Sequence, residues 1–188
     1  MAAGATLSYA AGTAFCRRHG IAYTPPTPAG RYDFAPGEEL QHDTSPHELT
    51  LGGKRRKVQT ASAVRCYSRL LFFQCYPTFR RFDCKVFLTE ALRYMGGATT
   101  RVMIDNTHVV VLRGSGREMV PVPEMGAFAE RFGFQFVAHA IGHANRWGRV
   151  ERPFHFIEGN FLAGRSFSGW EDLNSAGAGV VRQGQCDL

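Results

Sequence analysis

The chain has 188 residues, 44% of them hydrophobic, which is enough for one domain with a packed core. No apolar run approaches the roughly 20 residues of a membrane span, and no charged, apolar leader is evident, so we expect a cytoplasmic protein without a membrane partner. The formal net charge of +6 favours a polyanionic partner without proving one. The five cysteines form no Cys-x-x-Cys pair, which favours reduced thiols over zinc or disulfides.

The two ends of the chain are predicted to lie outside the main domain. Residues 1–30 comprise an Ala-rich helical remnant that stops near Gly20 and a proline-rich linker, Tyr23–Gly30, which can form neither a helix nor a central strand. The main domain is predicted to cover residues 31–165. The Gly- and Ser-rich residues 166–188 are predicted to form a flexible tail.

In the main domain, three predicted strands come first, and helices and strands then alternate. The predicted strands are Glu38–Thr44, Lys57–Tyr67, Arg69–Tyr76, Arg101–Ile104 and Gln135–His139, and the predicted helices are Asp83–Met95 with Asp83 as its N-cap, Pro123–Phe132 and Val150–Leu162. Residues 106–122 and 142–148 are predicted loops. Consecutive strands form a meander, and strands separated by helices join it in parallel through right-handed crossovers. The predicted fold is therefore α/β, with a mixed five-stranded sheet flanked by helices.

Three acidic residues have the settings expected of a site for divalent metal ions. Asp43 ends the first predicted strand and Asp105 ends the fourth, where open α/β sheets bind their ligands. Glu151 lies in the first turn of the last predicted helix. Carboxylate oxygens suit Mg²⁺ or Mn²⁺, and two such ions can hold the attacking and leaving oxygens of a phosphoryl transfer. We expect the three carboxylates to converge within roughly 10 Å.

Each acidic residue also has a structural interpretation. Asp43 could form a turn or a helix cap, and Asp105 with Asn106 could form an Asx-turn. Glu151 could interact with the helix dipole without binding a metal ion. Glu158, further along the same helix, is the alternative third ligand; Glu151 is favoured because it adjoins the loop nearer the strand ends.

Basic residues near the acidic ones predict contacts with DNA phosphates rather than with bases. One group occupies the turn between the first two strands, where a solvated hairpin tip is the alternative. A second group lies in and after the loop that precedes the last helix. The predicted phosphate contacts are Lys54, Arg55, Arg56, Lys57, Arg146, Arg149 and Arg152.

Six short motifs occur in order along the chain. They are Gln41-His-Asp-Thr-Ser-Pro-His47, Lys85-Val-Phe-Leu-Thr-Glu-Ala-Leu92, Ile104-Asp-Asn106, Pro123-Glu-Met125, Arg131-Phe-Gly-Phe134 and Gly148-Arg-Val-Glu-Arg-Pro-Phe154. Together they resemble the integrase core of IstA-type insertion-sequence transposases over roughly residues 5–175. That family belongs to the retroviral-integrase superfamily, so the resemblance implies a ribonuclease-H-like fold.

The resemblance also implies a mechanism and partners. Asp43, Asp105 and Glu151 would be the Asp-Asp-Glu triad that binds two divalent metal ions. The metals would activate water to nick the element's end and then activate the new 3′-hydroxyl to attack target DNA. The implied partners are DNA, the element's helper ATPase, and further copies of the chain or the full-length transposase.

The chain departs from the family pattern at both ends. Nothing resembles the family's helix-turn-helix segments before the core, and residues 175–188 lose the pattern. We therefore expect a truncated copy with an intact triad. One alternative is an inactive fragment that binds DNA or dimerises with full-length transposase and regulates it. Another is a nuclease of the same fold that hydrolyses DNA without strand transfer.

Overall fold

The computed structural model describes residues 9–21, 33–105, 107–138 and 151–184, in two compact units. The first unit, Met1–Tyr32, contains helix α1 (Tyr9–Arg18). The second, Asp33–Leu188, contains every other element given below. Within the described ranges, no helix is both long and apolar enough to cross a membrane.

The second unit is built on a mixed sheet. Its strands are β1 (Glu39–Leu51), β2 (Lys54–Arg65), β3 (Leu71–Tyr76), β4 (Arg101–Ile104), β7 (Gln135–Ala138) and the short β8 (Ser166–Phe167), while β5 (Val111–Arg113) and β6 (Val120–Pro121) form a separate hairpin. The strand order is β3-β2-β1-β4-β7, with β8 added beside β1. β1, β2 and β3 are antiparallel neighbours, whereas β4 and β7 run parallel to β1. The predicted mixed sheet is confirmed, with β8 as an additional strand.

The β1–β2 hairpin is longer than predicted and runs well past Asp43. Gly52 and Gly53 both have positive φ (59° and 72°), so they close a two-residue turn between Leu51 and Lys54. Pairing then continues without interruption from that turn to the Leu40–Arg65 pair. Asp43 therefore lies inside β1, and the predicted strand end at Thr44 is wrong.

Four helices flank the sheet: α2 (Arg81–Tyr94), α3 (Pro123–Phe132), α4 (Glu151–Phe156), which continues as a π-helical segment (Ile157–Leu162), and α5 (Trp170–Gly184). Proline at the first position and Gly133 in the left-handed conformation (φ 75°) delimit α3, and the predicted bounds of this helix are confirmed. The predicted N-cap of α2 is wrong, because Asp83 lies inside the helix. From there its carboxylate accepts the backbone N–H of Arg80 at 2.8 Å.

Two hydrophobic cores lie on opposite faces of the sheet. The first core joins Leu40 and Ile104 to α2 and α3, with Phe87 fully buried. The second core joins Leu49 to the π-helical segment and α5. Side chains alternate along a strand, so residues of β1 an even number of positions from Leu49 face the second core. Asp43 is one of them.

Residues 166–184 are ordered, so the predicted flexible tail is wrong over that range. β8 pairs with β1, and α5 packs on β3. Leu173 is fully buried, and Asn174 bonds both backbone groups of Cys75 on the edge strand, at 2.8 and 3.1 Å. Local composition suggested fraying, but burial and these edge contacts stabilise the helix.

Candidate active site

Asp43 and Asp105 are brought together by the parallel pairing of β1 and β4. The register pairs Gln41 with Met103 and His42 with Ile104, so the next position along both strands places Asp43 beside Asp105. Both residues line one cavity of about 440 Å³ at the carboxyl end of β4. This is the edge at which open α/β sheets bind ligands.

The cavity disfavours ionisation of Asp43 beside the carboxylate of Asp105. Burial raises the pKa of Asp43 from its ordinary value of 3.8 to about 6. The backbone N–H of Thr44, 2.7 Å from Asp43 Oδ1, opposes that shift, and the charge of the exposed Asp105 adds to it. A cation between the two carboxylates would relieve both the desolvation and the repulsion.

His42 and Cys84 form a neutral wall of the cavity. His42 is buried and donates from Nδ1 to the Ser62 carbonyl at 2.9 Å, and burial lowers its pKa to about 4. Its Nε2 therefore accepts the weak hydrogen bond from Cys84 Sγ at 3.8 Å. Burial raises the pKa of the Cys84 thiol to about 12. Neither group is charged near pH 7, so both have a structural role in the cavity wall.

Sequence reasoning did not single out the polar residues of the cavity wall. Gln59 and Thr78 contribute from β2 and from the turn before α2, and Thr107 and His108 follow within three residues of Asp105. The position of Thr107 and His108 just beyond a strand that ends in a candidate ligand could have identified them. The other two belong to distant segments, and only the tertiary fold brings them to the cavity.

Helix α4 begins at Glu151, but the side chains of Glu151 and Arg152 are outside the described part of the chain. Arg146 and Arg149 also lie outside it. The rest of the helix packs on the face of the sheet to which Asp43 points, since Ile157 is fully buried in the second core. The start of α4 is thus known, whereas the metal contact predicted for Glu151 and the phosphate contacts predicted for the three arginines stay predictions.

Glu158, the alternative third ligand, lies beside His47. Its Oε1 is 3.0 Å from Nε2 of the buried His47, and its side chain is 53% exposed. This Nε2 makes no well-directed hydrogen bond among the described residues, so the contact is a close electrostatic approach. His47 lies four strand residues beyond Asp43, a distance of roughly 13 Å at about 3.3 Å per residue.

The four basic residues at the hairpin tip do not form one surface. Lys54, Arg55, Arg56 and Lys57 are all exposed. They alternate along β2, so Lys54 and Arg56 share one face of the hairpin while Arg55 and Lys57 share the other. Arg55 also pairs with Glu48 at 2.9 Å. The sequence-predicted cluster is therefore divided into two pairs.

The chemistry of the cavity is that of hard oxygen ligands. Asp43 and Asp105 supply two carboxylates, which suits Mg²⁺ or Mn²⁺. Across the described ranges there is no group of three or more His, Cys, Asp or Glu side chains arranged to hold a metal ion. The two aspartates fit such an ion, and a third protein ligand would have to come from the undescribed side chains.

Sequence comparison identifies relatives of one kind. A transposase for insertion sequence IS640 of Shigella sonnei is 28% identical over 145 residues, which make up 77% of this chain and 46% of that protein. A putative transposase for IS5376 of Geobacillus stearothermophilus is 30% identical over 151 residues, and the transposase for IS21 of Pseudomonas aeruginosa is 28% identical over 145. The chain is related to insertion-sequence transposases. It spans less than half the length of these relatives (46%, 36% and 37%), and no protein-family model matches it.

Structure comparison finds a similar fold in retroviral integrases. The magnesium complex of the HTLV-2 integrase catalytic core, in its dimeric form, superimposes with a TM-score of 0.52 at 14% identity, over 74% of this chain and 83% of that one. The intasome of simian T-cell lymphotropic virus, with a PP2A regulatory subunit, gives 0.54 at 14% identity, over 84% and 55%. At such low identity the likeness concerns the fold, which is the ribonuclease-H-like fold of integrase cores. The resemblance predicted from the six motifs is confirmed.

Proposed function

We propose that this chain is the catalytic core of a transposase that nicks DNA ends and transfers strands with divalent metal ions. The observation that carries the proposal is the meeting of Asp43 and Asp105 in one cavity at the carboxyl end of β4, where burial raises the pKa of Asp43. Without a bound cation, placing two carboxylates side by side in a partly buried cavity costs folding free energy through desolvation and repulsion, so the arrangement favours a cation site. The relatives are transposases, which supports a polynucleotidyl transferase rather than another chemistry.

We assign Glu151 as the third ligand, in preference to Glu158. Glu158 lies at the level of His47, and Ser166, further along the chain, pairs with Thr50. The chain from α4 to β8 thus advances along β1 in the strand's own direction. Going back seven helical residues from Glu158 spans about 10 Å and returns towards Asp43.

Asp43, Asp105 and Glu151 would together hold two Mg²⁺ or Mn²⁺ ions. When bound, the metal pair supplies Lewis-acid stabilisation of the attacking and leaving oxygens. Asp43 must be ionised to bind, and a nearby cation would lower its pKa from about 6 back towards its ordinary value. Behind the site, the Cys84 thiol stays protonated and the buried His42 is a weak base with a pKa of about 4, so neither group competes with the reacting oxygens as nucleophile or base.

DNA would be held by its phosphates. We propose contacts from Lys54, Arg55, Arg56 and Lys57 at the hairpin tip, and from Arg146, Arg149 and Arg152 around the start of α4. Each phosphate contact contributes a slope of roughly 0.9 in log affinity against log salt. Because the tip residues alternate between two faces, DNA on one face would contact Arg55 and Lys57, or Lys54 and Arg56. Arg55→Ala and Arg56→Ala should then flatten the salt slope unequally.

We further propose two kinds of protein partner from the resemblance to IstA-type transposases. One is the helper ATPase of the element, and the other is a second transposase copy, either this chain or the full-length protein. Gel filtration and pull-down with the purified ATPase would test them. Neither partner is needed for the cavity chemistry proposed above.

The decisive experiment is nicking of labelled DNA that carries an element end, with Mg²⁺ or Mn²⁺ and without metal. We expect metal-dependent nicking that Asp43→Asn, Asp105→Asn and Glu151→Gln each abolish. Glu130→Gln, an exposed substitution on α3, is the matched control and should leave nicking intact. DNA binding without cleavage would favour the alternative of an inactive fragment that regulates full-length transposase. Nicking without joining to target DNA would favour a nuclease.

A further inference from the structure

We propose that His47 is a positioning residue that holds the helix of Glu151 in register against β1. The inference rests on the proposed function, because it concerns how the third ligand is placed. His47 is buried, with 6% of its surface exposed, and it lies on the same face of β1 as Asp43. At roughly 13 Å along the strand from Asp43 it acts through the helix and not on the substrate.

Both ring nitrogens of His47 face partners from other elements. Nδ1 lies 2.9 Å from Oγ1 of Thr60, a fully buried residue of β2, and this contact fixes the orientation of the ring. Nε2 lies 3.0 Å from Oε1 of Glu158. The tautomer with the proton on Nε2 suits this arrangement, since Thr60 can donate to Nδ1 while Nε2 approaches the carboxylate electrostatically, without a well-directed hydrogen bond. The ring centroid also lies 5.9 Å from that of Phe154.

These contacts set the rotation of the helix about its axis. Phe154 and Glu158 are four residues apart and so share one helix face, which His47 contacts at both points. Position 151 lies three residues before Phe154, on the same face. The anchor therefore turns the Glu151 position towards the side of the sheet on which Asp43 lies.

The apolar contacts of this segment cannot supply the same precision. Ile157 and Phe161 are fully buried in the second core, but hydrophobic packing is non-directional. The segment Ile157–Leu162 is also π-helical, which changes the angle per residue in the middle of the element. A polar contact at Glu158, at the start of the π-helical segment, determines which register the preceding α-helical turns adopt.

The test compares His47→Leu, which removes the polar contacts and keeps the bulk, with His47→Gln, whose amide can still donate towards Glu158. Three experiments are made on the whole chain: Mn²⁺ affinity is measured by titration calorimetry, kcat and KM are measured for DNA nicking, and amide exchange is followed along residues 154–161. Loss of direct outer contacts to metal ligands typically weakens metal binding about 10- to 100-fold, and a residue that acts through the helix should stand at the low end of that range. We expect His47→Leu to weaken Mn²⁺ binding in that range, to lower kcat with little change in KM, and to speed exchange in that helix but not in α2.

The matched control is Glu90→Gln, which breaks an exposed ion pair with Arg93 on α2 and should change none of these quantities. His47→Gln should restore part of the Mn²⁺ affinity lost in His47→Leu. Unchanged exchange at residues 154–161, or faster exchange spread evenly over the whole chain with normal Mn²⁺ affinity, would overturn the proposal. If the wild type and Glu151→Gln both fail to bind Mn²⁺, the proposed function fails instead, and the exchange data alone decide whether His47 places the helix.

Discussion

Asp43→Asn should stabilise the metal-free protein at neutral pH, although it is expected to abolish activity. Asp43 is partly buried, and its pKa rises from 3.8 to about 6 on folding. The folded state thus holds the proton more tightly than the unfolded state, so stability falls as pH rises between these two values and stays low above them. A shift of this size corresponds to at most about 3 kcal/mol.

The assay is urea unfolding of the wild type and the Asn variant at several pH values from 4 to 8, with metal removed by chelation. Near pH 4 the Asp43 carboxyl is largely protonated in the folded state and still partly protonated in the unfolded state, so the charge of Asp43 should cause only a small difference between the two proteins. The difference should then grow in favour of the variant and level off above about pH 7, at about 1 to 3 kcal/mol. Glu130→Gln, on the exposed surface of α3, should give curves parallel to the wild type.

Metal should offset the stability advantage of the Asn variant. Magnesium at about 100 times its dissociation constant stabilises a binding-competent protein by roughly 2.7 kcal/mol, and the Asn variant should lose most of this gain. A variant that is less stable than the wild type at pH 7.5 without metal would refute the reasoning. So would a difference between the two proteins that does not depend on pH, because it would show that desolvation of the charge is not the cause.

Four further substitutions test the packing that supports the site. Gly177→Val should destabilise the protein by about 1 to 3 kcal/mol in thermal unfolding, because even a Cβ there would lie 3.0 Å from the Phe73 ring. A Cβ at Gly179 on the same helix would meet nothing within 4 Å, so Gly179→Ala should stabilise the protein by up to about 1 kcal/mol. Asn174→Ala removes both bonds to the edge of β3 and should cost about 1 to 3 kcal/mol of urea stability; no loss would show that α5 is held by apolar contacts alone. Phe87→Ala, at a fully buried position 5.0 Å from the His42 ring, should cost about 3 to 5 kcal/mol by the same measurement.

The elements with strong local patterns could be predicted from the sequence. The strand Arg101–Ile104 and the helix Pro123–Phe132 have the predicted bounds. A short apolar run bounded by polar residues specifies the first. Proline at the start and glycine after the end specify the second. These features depend on neighbouring residues alone, so no knowledge of the tertiary structure is needed.

The elements that depend on distant partners could not be predicted. Residues 45–50 are mostly polar and include Pro46, yet they form strand because β2 pairs with them throughout. The Ala- and Gly-rich α5 is a weak helix by propensity and is held by the second core and by β3. The basic residues at the hairpin tip lie on two faces because β1 and β2 pair up to the turn. This could not be predicted, since the first strand was expected to end at Thr44.

The two cores explain why the candidate ligands come from elements so far apart in sequence. The first core, under α2 and α3, fixes β4 beside β1 and so brings Asp105 to Asp43. The second core holds the helix that begins at Glu151 on the opposite face, where Asp43 points. Asp43 is thus the residue common to both arrangements. Its raised pKa reflects the cost of placing a charged carboxylate in this partly buried position, and a cation bound there would relieve that cost at neutral pH.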